Sequence, residues 1–119
     1  MNSHYEYTDE QFEDLFSSCS LNPKLFNHTA HIRLAFIYVK KYGVAKASDL
    51  ICDQIQAFDQ KFGDGMKFNR ELTELSVRAV DHYMVEGKSE TFSDFLLQYP
   101  MMIGSFKEVL EKVSSLKEG

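Results

Sequence analysis

The sequence is short of tryptophan, proline, cysteine and glycine. Among 119 residues it has no Trp, two Pro, two Cys and six Gly. Charged residues make up 26% and apolar residues 44%, a balance that is typical of a globular domain and excludes a disordered chain. A chain of this length can bury a core without disulfides or a structural metal.

Long apolar runs are also missing. The longest, Leu34 to Val39, has six residues, whereas a helix needs about 20 to cross a bilayer. Residues 1–7 carry neither a basic region nor an apolar run, so we expect no secretory signal and no membrane contact. Cys19 and Cys52 form no C-x-x-C pair, which favours free thiols in a reducing cytoplasm. We therefore expect a soluble cytoplasmic protein.

Positive charge is scarce as well. Lys and Arg together number 13 against 18 Asp and Glu, which gives a net charge of -5. Lys40-Lys41 is the only adjacent basic pair, and it lies where a helix is predicted to end. Nucleic acids are bound by a concentrated basic face, so we expect no nucleic-acid partner.

What the chain does contain is apolar residues at helical spacing along almost its whole length. From Val44 to Phe62 they recur every three or four positions, and polar residues take the other side. The helix before it is expected to end at Tyr42, followed by Gly43. The last helix is expected over Ser105 to Leu116. No stretch alternates at period two, so we expect no sheet.

Polar residues with good capping ability mark where the helices begin. They are the capping-box pair Thr8 and Gln11, then Asn27, Asn69, and Ser89 or Thr91. The predicted fold class is therefore all-α: a compact bundle of about five to six antiparallel amphipathic helices. It forms a single domain over residues 1–119, with a flexible N-terminus over residues 1–7.

Two of the four histidines lie one turn apart at the start of the most apolar helix. His28 and His31 are at positions i and i+3, which share one helix face, so they could act on one ligand, metal or proton. The alternative is that both histidines are packing residues, hydrogen-bonded to neighbouring polar groups. The spacing does not choose between these interpretations.

A second polar cluster surrounds Asn69 and Thr73. Asn69 is expected to cap the fourth helix. If the second and fourth helices begin at the same end of the bundle, Asn69 and Thr73 could face the two histidines. Such a pocket of imidazole, amide and hydroxyl groups could orient a small ligand, or a water molecule for acid–base chemistry.

The histidine pair also suggests a metal site. Two nitrogens from a His-x-x-His pair can bind zinc or iron, but a catalytic site needs a third protein ligand and a closed site four. Glu71 is the candidate third ligand to His28 and His31. The other candidates for completing the site are Glu74, Asp81 and His82, and none of the four has a diagnostic spacing to the pair.

Other chemistry has weaker signals. A phosphorelay histidine at His31 lacks the Lys-Gly step that such a motif would need. Neither cysteine has a histidine near it in sequence, and no G-x-S-x-G or glycine-rich phosphate loop is present. The ten Phe and six Tyr indicate either a phenylalanine-filled core or an aromatic-lined ligand pocket.

Two segments resemble a known family. Phe26-x-His28-x-Ala30-His31-Ile32-x-x-Ala35 has the form F-x-H-x-A-H-[LI]-x-x-A, and Phe68-Asn69-x-x-Leu72-Thr73 has the form [FY]-N-x-x-L-T. Both are similar to segments of a family of small uncharacterised bacterial all-helical proteins. The resemblance covers about half the chain, and it differs at Glu71, where the family commonly has Thr. It implies that the two segments belong to one motif, as a shared site or as a shared packing device.

Two functions follow as hypotheses. The first is a non-catalytic bacterial accessory or regulatory module that acts through a protein partner or self-association. The segment Met101-Met102-Ile103 is its candidate surface, with a buried helix joint as the alternative. The second is a small-ligand or metal-binding protein, or an acid–base or hydrolytic enzyme. Its site would be built on His28, His31, Asn69 and Thr73.

Overall fold

The computed structural model describes residues 3–63 and 68–117, and within these ranges the chain is all-α, without strands. This confirms the predicted fold class. Seven α-helices are joined by short connections, and two 3-10 helices, His4–Glu6 and Pro23–Leu25, precede α1 and α2. The α-helices are α1 (Asp9–Ser17), α2 (His28–Tyr42), α3 (Val44–Phe62), α4 (Arg70–Gly87), α5 (Phe92–Gln98), α6 (Met101–Gly104) and α7 (Phe106–Lys117).

The predicted capping residues begin the helices as expected. Thr8 and Gln11 form a complete capping box. Asn27 Oδ1 accepts from the Ala30 amide at 2.9 Å, and Asn69 Oδ1 accepts from the Leu72 amide at 3.1 Å. Thr91 caps α5 in the same way. These bonds satisfy amides that have no partner inside the helix.

A single residue, Gly43, connects α2 to α3. Its φ is 84°, a backbone conformation that side-chain-bearing residues rarely adopt. The Gly43 amide donates to the Val39 carbonyl at 2.9 Å, and its carbonyl accepts from the Ala47 amide at 2.9 Å. One residue therefore ends one helix, begins the next and reverses the chain.

The core is built around α2, whose residues from Ile32 to Val39 are all buried. Helices α3 and α4 pack on it, each antiparallel to its predecessor. The last turn of α3, at Phe58 and Phe62, borders the same cavity as Phe26 and Phe68, which precede α2 and α4. The first turns of α2 and α4 therefore lie at the same end of the bundle.

The N-terminal segment, predicted to be flexible over residues 1–7, contacts Arg33 of α2 from His4 onward; residues 1 and 2 lie outside the described part. His4 is 1% exposed. Arg33 Nη1 donates to the His4 carbonyl at 2.7 Å, and Nη2 donates to the Tyr7 carbonyl at 2.8 Å and to Asp9 at 2.8 Å. A buried guanidinium attaches this segment, and nothing in the local pattern of residues 1–7 signals that contact.

The C-terminal part adds a helix that the sequence analysis does not include. The short α6 lies between Pro100 and α7, and α7 itself agrees with the predicted last helix to within one residue at each end. Met102 is fully buried, whereas Ile103 is exposed. The Met101-Met102-Ile103 segment is thus a helix joint with one exposed apolar side chain.

Two further expectations are tested by the fold. Cys19 and Cys52 are both free thiols, as expected. Among the described residues, no helix has the length and apolar character that crossing a membrane requires.

Candidate functional site

The two polar segments singled out in the sequence meet at one cavity of about 260 Å³. It lies where the first turns of α2 and α4 approach α3 and α7. We call it the histidine cavity. Its polar lining comes from His28, His31, Asn69, Thr73 and Ser76.

Most of the remaining lining of the histidine cavity is aliphatic or aromatic. These side chains come from α2, α3, α4 and α7, and from the residue that precedes the α4 cap. The largest are Ile32, Ile51, Ile55, Phe68, Leu72, Phe106 and Leu110. A largely apolar cavity with a few polar groups is the usual form of a small-molecule site.

His28 is oriented by a distant part of the chain. Its Nε2 lies 2.8 Å from the carbonyl oxygen of Met102 in α6, and its ring lies against Phe106, with ring centres 4.8 Å apart. Because a carbonyl oxygen only accepts, Nε2 must carry the proton of this bond. In the neutral ring, Nδ1 is then a hydrogen-bond acceptor.

His31 is held differently, by stacking. Its ring lies parallel to that of Phe26, with centres 3.9 Å apart and planes inclined by 23°. Neither ring nitrogen has a hydrogen-bond partner among the described residues. His31 is accessible to water, and it lines two cavities.

These surroundings change the acidity of His31. Loss of hydration, and secondarily the neighbouring His28, lower the pKa of the His31 imidazole from 6.5 to about 4. The ring is therefore neutral at pH 7. It offers one N–H donor and one unprotonated nitrogen as acceptor.

Helix α4 supplies the remaining polar groups. The side-chain oxygen of Asn69 is engaged in the cap, so the cap leaves its amide group as a donor. Thr73, one turn later, is half-buried at the cavity wall. Ser76 donates its hydroxyl proton to the Leu72 carbonyl at 2.8 Å. The cap and the cavity wall thus both lie at the start of α4.

Glu71, the predicted third metal ligand beside His28 and His31, lies away from the two histidines. It borders a separate surface cleft together with Glu74 and Arg78. The physical reason is helix geometry: Glu71 is two positions from both Asn69 and Thr73, and residues at that spacing point to different sides.

The other candidate ligands are elsewhere as well. Asp81 and His82 border a third cleft, against α7. Within residues 3–63 and 68–117, no three His, Cys, Asp or Glu side chains are grouped so that they could hold a metal ion. Among these side chains, the histidine cavity therefore contains only the two imidazoles as metal ligands.

A second cavity of about 280 Å³ adjoins the first, and the sequence analysis does not predict it. We call it the phenyl cavity, because its wall is built mainly from the rings of Phe26, Phe58, Phe62 and Phe68. The spacing of Phe58 and Phe62 at i and i+4 could have indicated a shared aromatic face. In the sequence, this spacing predicts only the core face of α3.

A comparison of the chain with models of protein families, with curated proteins and with solved structures finds no match. The family resemblance of the two segments stays a prediction. Only the geometry of the two cavities therefore indicates a function.

Proposed function

We propose that this protein binds a small uncharged molecule in the histidine cavity. The observation that carries the proposal is the lining itself. Two imidazoles, an amide and two hydroxyls line an otherwise apolar cavity. No Asp, Glu, Lys or Arg is among the described residues that line it. A charged ligand would find no counter-ion in this lining, which favours an uncharged one.

The polar groups define what the ligand must offer. His28 Nδ1 is an acceptor, and the side-chain amide of Asn69 is a donor. His31 provides one of each. A hydroxyl, amide or ring nitrogen on the ligand would satisfy these groups, while its hydrocarbon part would contact Ile55 and Leu110.

The acidity of His31 supports binding over acid–base catalysis. A general base works best when its pKa lies near the working pH. The pKa of His31 lies at about 4, so the ring has little tendency to take up a proton at pH 7. No carboxylate among the described lining residues orients either imidazole. We assign both histidines to ligand recognition.

The interaction module is a second candidate, with one observation in its favour. Val85 is 69% exposed and Leu116 is 52% exposed, and both border the cleft between α4 and α7. This pair is a possible contact for a partner or a second copy. Sedimentation analysis of the native chain and of Val85→Ser tests it: self-association that the substitution removes would favour this function.

The proposed ligand site is tested with three probes of nearly the same shape. Benzyl alcohol, benzoate and benzylamine share a ring and differ in charge at pH 7. We expect benzyl alcohol to shift the backbone amide signals of Leu72, Thr73 and Val77 in two-dimensional NMR titrations, with a dissociation constant on the order of millimolar for a ligand of this size. Benzoate and benzylammonium should bind several-fold more weakly.

Two variants locate the binding. His31→Ala should weaken binding of benzyl alcohol, whereas His82→Ala, a histidine outside both cavities, should leave it unchanged. Absence of binding by all three probes, or equal loss in both variants, would refute the proposal. Circular dichroism confirms that each variant keeps its helices.

A further inference from the structure

The histidine cavity and the phenyl cavity share part of their walls. His31, Ile55 and Phe68 line both of them. The two cavities therefore lie side by side, separated by three side chains. Each has a volume below 300 Å³, so a molecule that used both would be larger than either holds alone.

The two compartments differ in chemistry. The histidine cavity has five polar side chains at its wall. The phenyl cavity has four phenylalanine rings, and Phe58 lies in a ring cluster with Phe26 at 5.1 Å and Phe62 at 4.8 Å between centres. Aromatic rings at such distances attract one another beyond their burial alone, and they offer the same attraction to an aromatic ligand.

His31 stands between the compartments and is weakly fixed. Stacking on Phe26 holds its ring, and no hydrogen bond to a described residue restrains it. The ring is also accessible to water. Its side-chain rotamer can therefore change without breaking a hydrogen bond to a described residue.

We propose that the natural ligand is an uncharged aromatic compound that spans both cavities. Its ring system lies in the phenyl cavity, and its hydroxyl, amide or ring nitrogen reaches His31 and Asn69 in the histidine cavity. This inference rests on the proposed function and adds the chemical class and orientation of the ligand.

Asp59 also borders the phenyl cavity. Its Oδ2 accepts from the Phe68 amide at 3.1 Å, which fixes the carboxylate against the start of α4. An aromatic ammonium ion is therefore the competing ligand class. Its binding is measured in the same experiment.

The test uses two uncharged alcohols and one amine. Cyclohexylmethanol and 2-naphthalenemethanol carry the same polar group on a saturated and on an aromatic body, and 2-naphthalenemethylamine is the charged analogue. We expect the naphthyl alcohol to bind roughly three- to tenfold more tightly than cyclohexylmethanol, as added ring–ring contacts predict. Two-dimensional NMR titration of the full chain gives the three dissociation constants.

Two variants test whether the aromatic ring of the ligand lies in the phenyl cavity. Phe62 lines only the phenyl cavity and is 42% exposed, so Phe62→Leu should fold normally. Phe62→Leu should weaken binding of the naphthyl alcohol roughly threefold and leave binding of cyclohexylmethanol unchanged. Leu97→Ala, at an exposed apolar residue outside both cavities, is the matched control and should change neither.

The outcomes separate this inference from the proposed function. If both alcohols bind with similar affinity and Phe62→Leu has no effect, the two-compartment ligand is refuted while the histidine cavity remains a site. Tighter binding of the amine would refute the uncharged class. If neither alcohol binds, the proposed function fails as well.

Discussion

Two polar regions lie on opposite sides of α2 and differ in how their polar groups are used. On one side Arg33 attaches the N-terminal segment; on the other His31 faces the two cavities. The two residues are two positions apart on the helix, which places them on different faces. Arg33 is 5% exposed, and His31 is accessible to water.

The difference is in the hydrogen bonds. All three guanidinium nitrogens of Arg33 donate to His4, Tyr7 or Asp9, and the group packs over the ring of Phe12, 4.9 Å from its centre. His31, in contrast, has no hydrogen-bond partner among the described residues. A buried polar group with every donor used stabilises the fold, whereas an accessible group with unused donors and acceptors is available to a ligand.

The largest expected effect comes from removing the guanidinium that attaches the N-terminal segment to α2. Arg33→Ala should reduce the free energy of unfolding by about 3 kcal/mol, because it removes several charge-assisted hydrogen bonds and the packing on Phe12. The partner Asp9 is largely exposed, which limits the loss. Urea unfolding measures it, with Arg78→Ala, a half-buried arginine on α4, as the control. Equal losses in both variants would show that the Arg33 contacts are not special.

The next largest effect is a pH dependence of the free energy of unfolding that comes from His31. Because folding lowers the pKa of His31 from 6.5 to about 4, the unfolded chain takes up this proton first as the pH falls. Stability should therefore decrease from pH 6.5 to pH 4 and recover as the pH rises again. His31→Gln should flatten this part of the profile relative to the native chain. An unchanged profile would contradict the lowered pKa.

Two substitutions at Asn69 distinguish its role as a helix cap from a role in ligand binding. Asn69→Ala should cost about 1 kcal/mol of stability, because the Leu72 amide loses its cap. Asn69→Ser keeps a good cap but removes the side-chain amide, so stability should stay within about 0.5 kcal/mol while binding of benzyl alcohol weakens. Thermal unfolding and NMR titration give the two quantities. If Asn69→Ser binds as well as the native chain, Asn69 is a cap only.

The smallest effect concerns His4, the residue of the N-terminal segment that contacts Arg33. Its Nδ1 lies 3.2 Å from Arg33 Nη1 and accepts from it, so Nε2 carries a proton and is buried without a hydrogen-bond partner among the described residues. His4→Leu loses one weak acceptor and removes that unsatisfied N–H. We expect the stability to change by less than about 1 kcal/mol. A loss as large as that of Arg33→Ala would mean that His4, and not Arg33, organises the segment.

Much of the candidate site was within reach of the sequence, for local reasons. Asn27 and Asn69 are recognisable caps, and His28 and His31 share a face by their spacing. The condition that both helices begin at one end of the bundle is met, and it brings the four predicted polar residues to one cavity. Glu71 borders a different cleft, and its spacing of two residues from Asn69 already indicates another helix face.

The remaining features depend on contacts between distant parts of the chain. The Met102 carbonyl that orients His28 is 74 residues away, and no local pattern pairs them. The same holds for the phenyl cavity, where Phe26 comes from one connection and Phe62 from the end of α3. Its rings were indistinguishable in sequence from ordinary core residues.

The sequence by itself determined the all-α class, the capping residues and the bounds of α2 and α3. The reason is that helical hydrogen bonds and caps join residues at most four positions apart. Only the tertiary structure decided that Arg33 is buried under residues 4–9 and that His31 lies between two cavities. Those environments arise from packing between helices, where burial and partners are set by residues that are far apart in the chain.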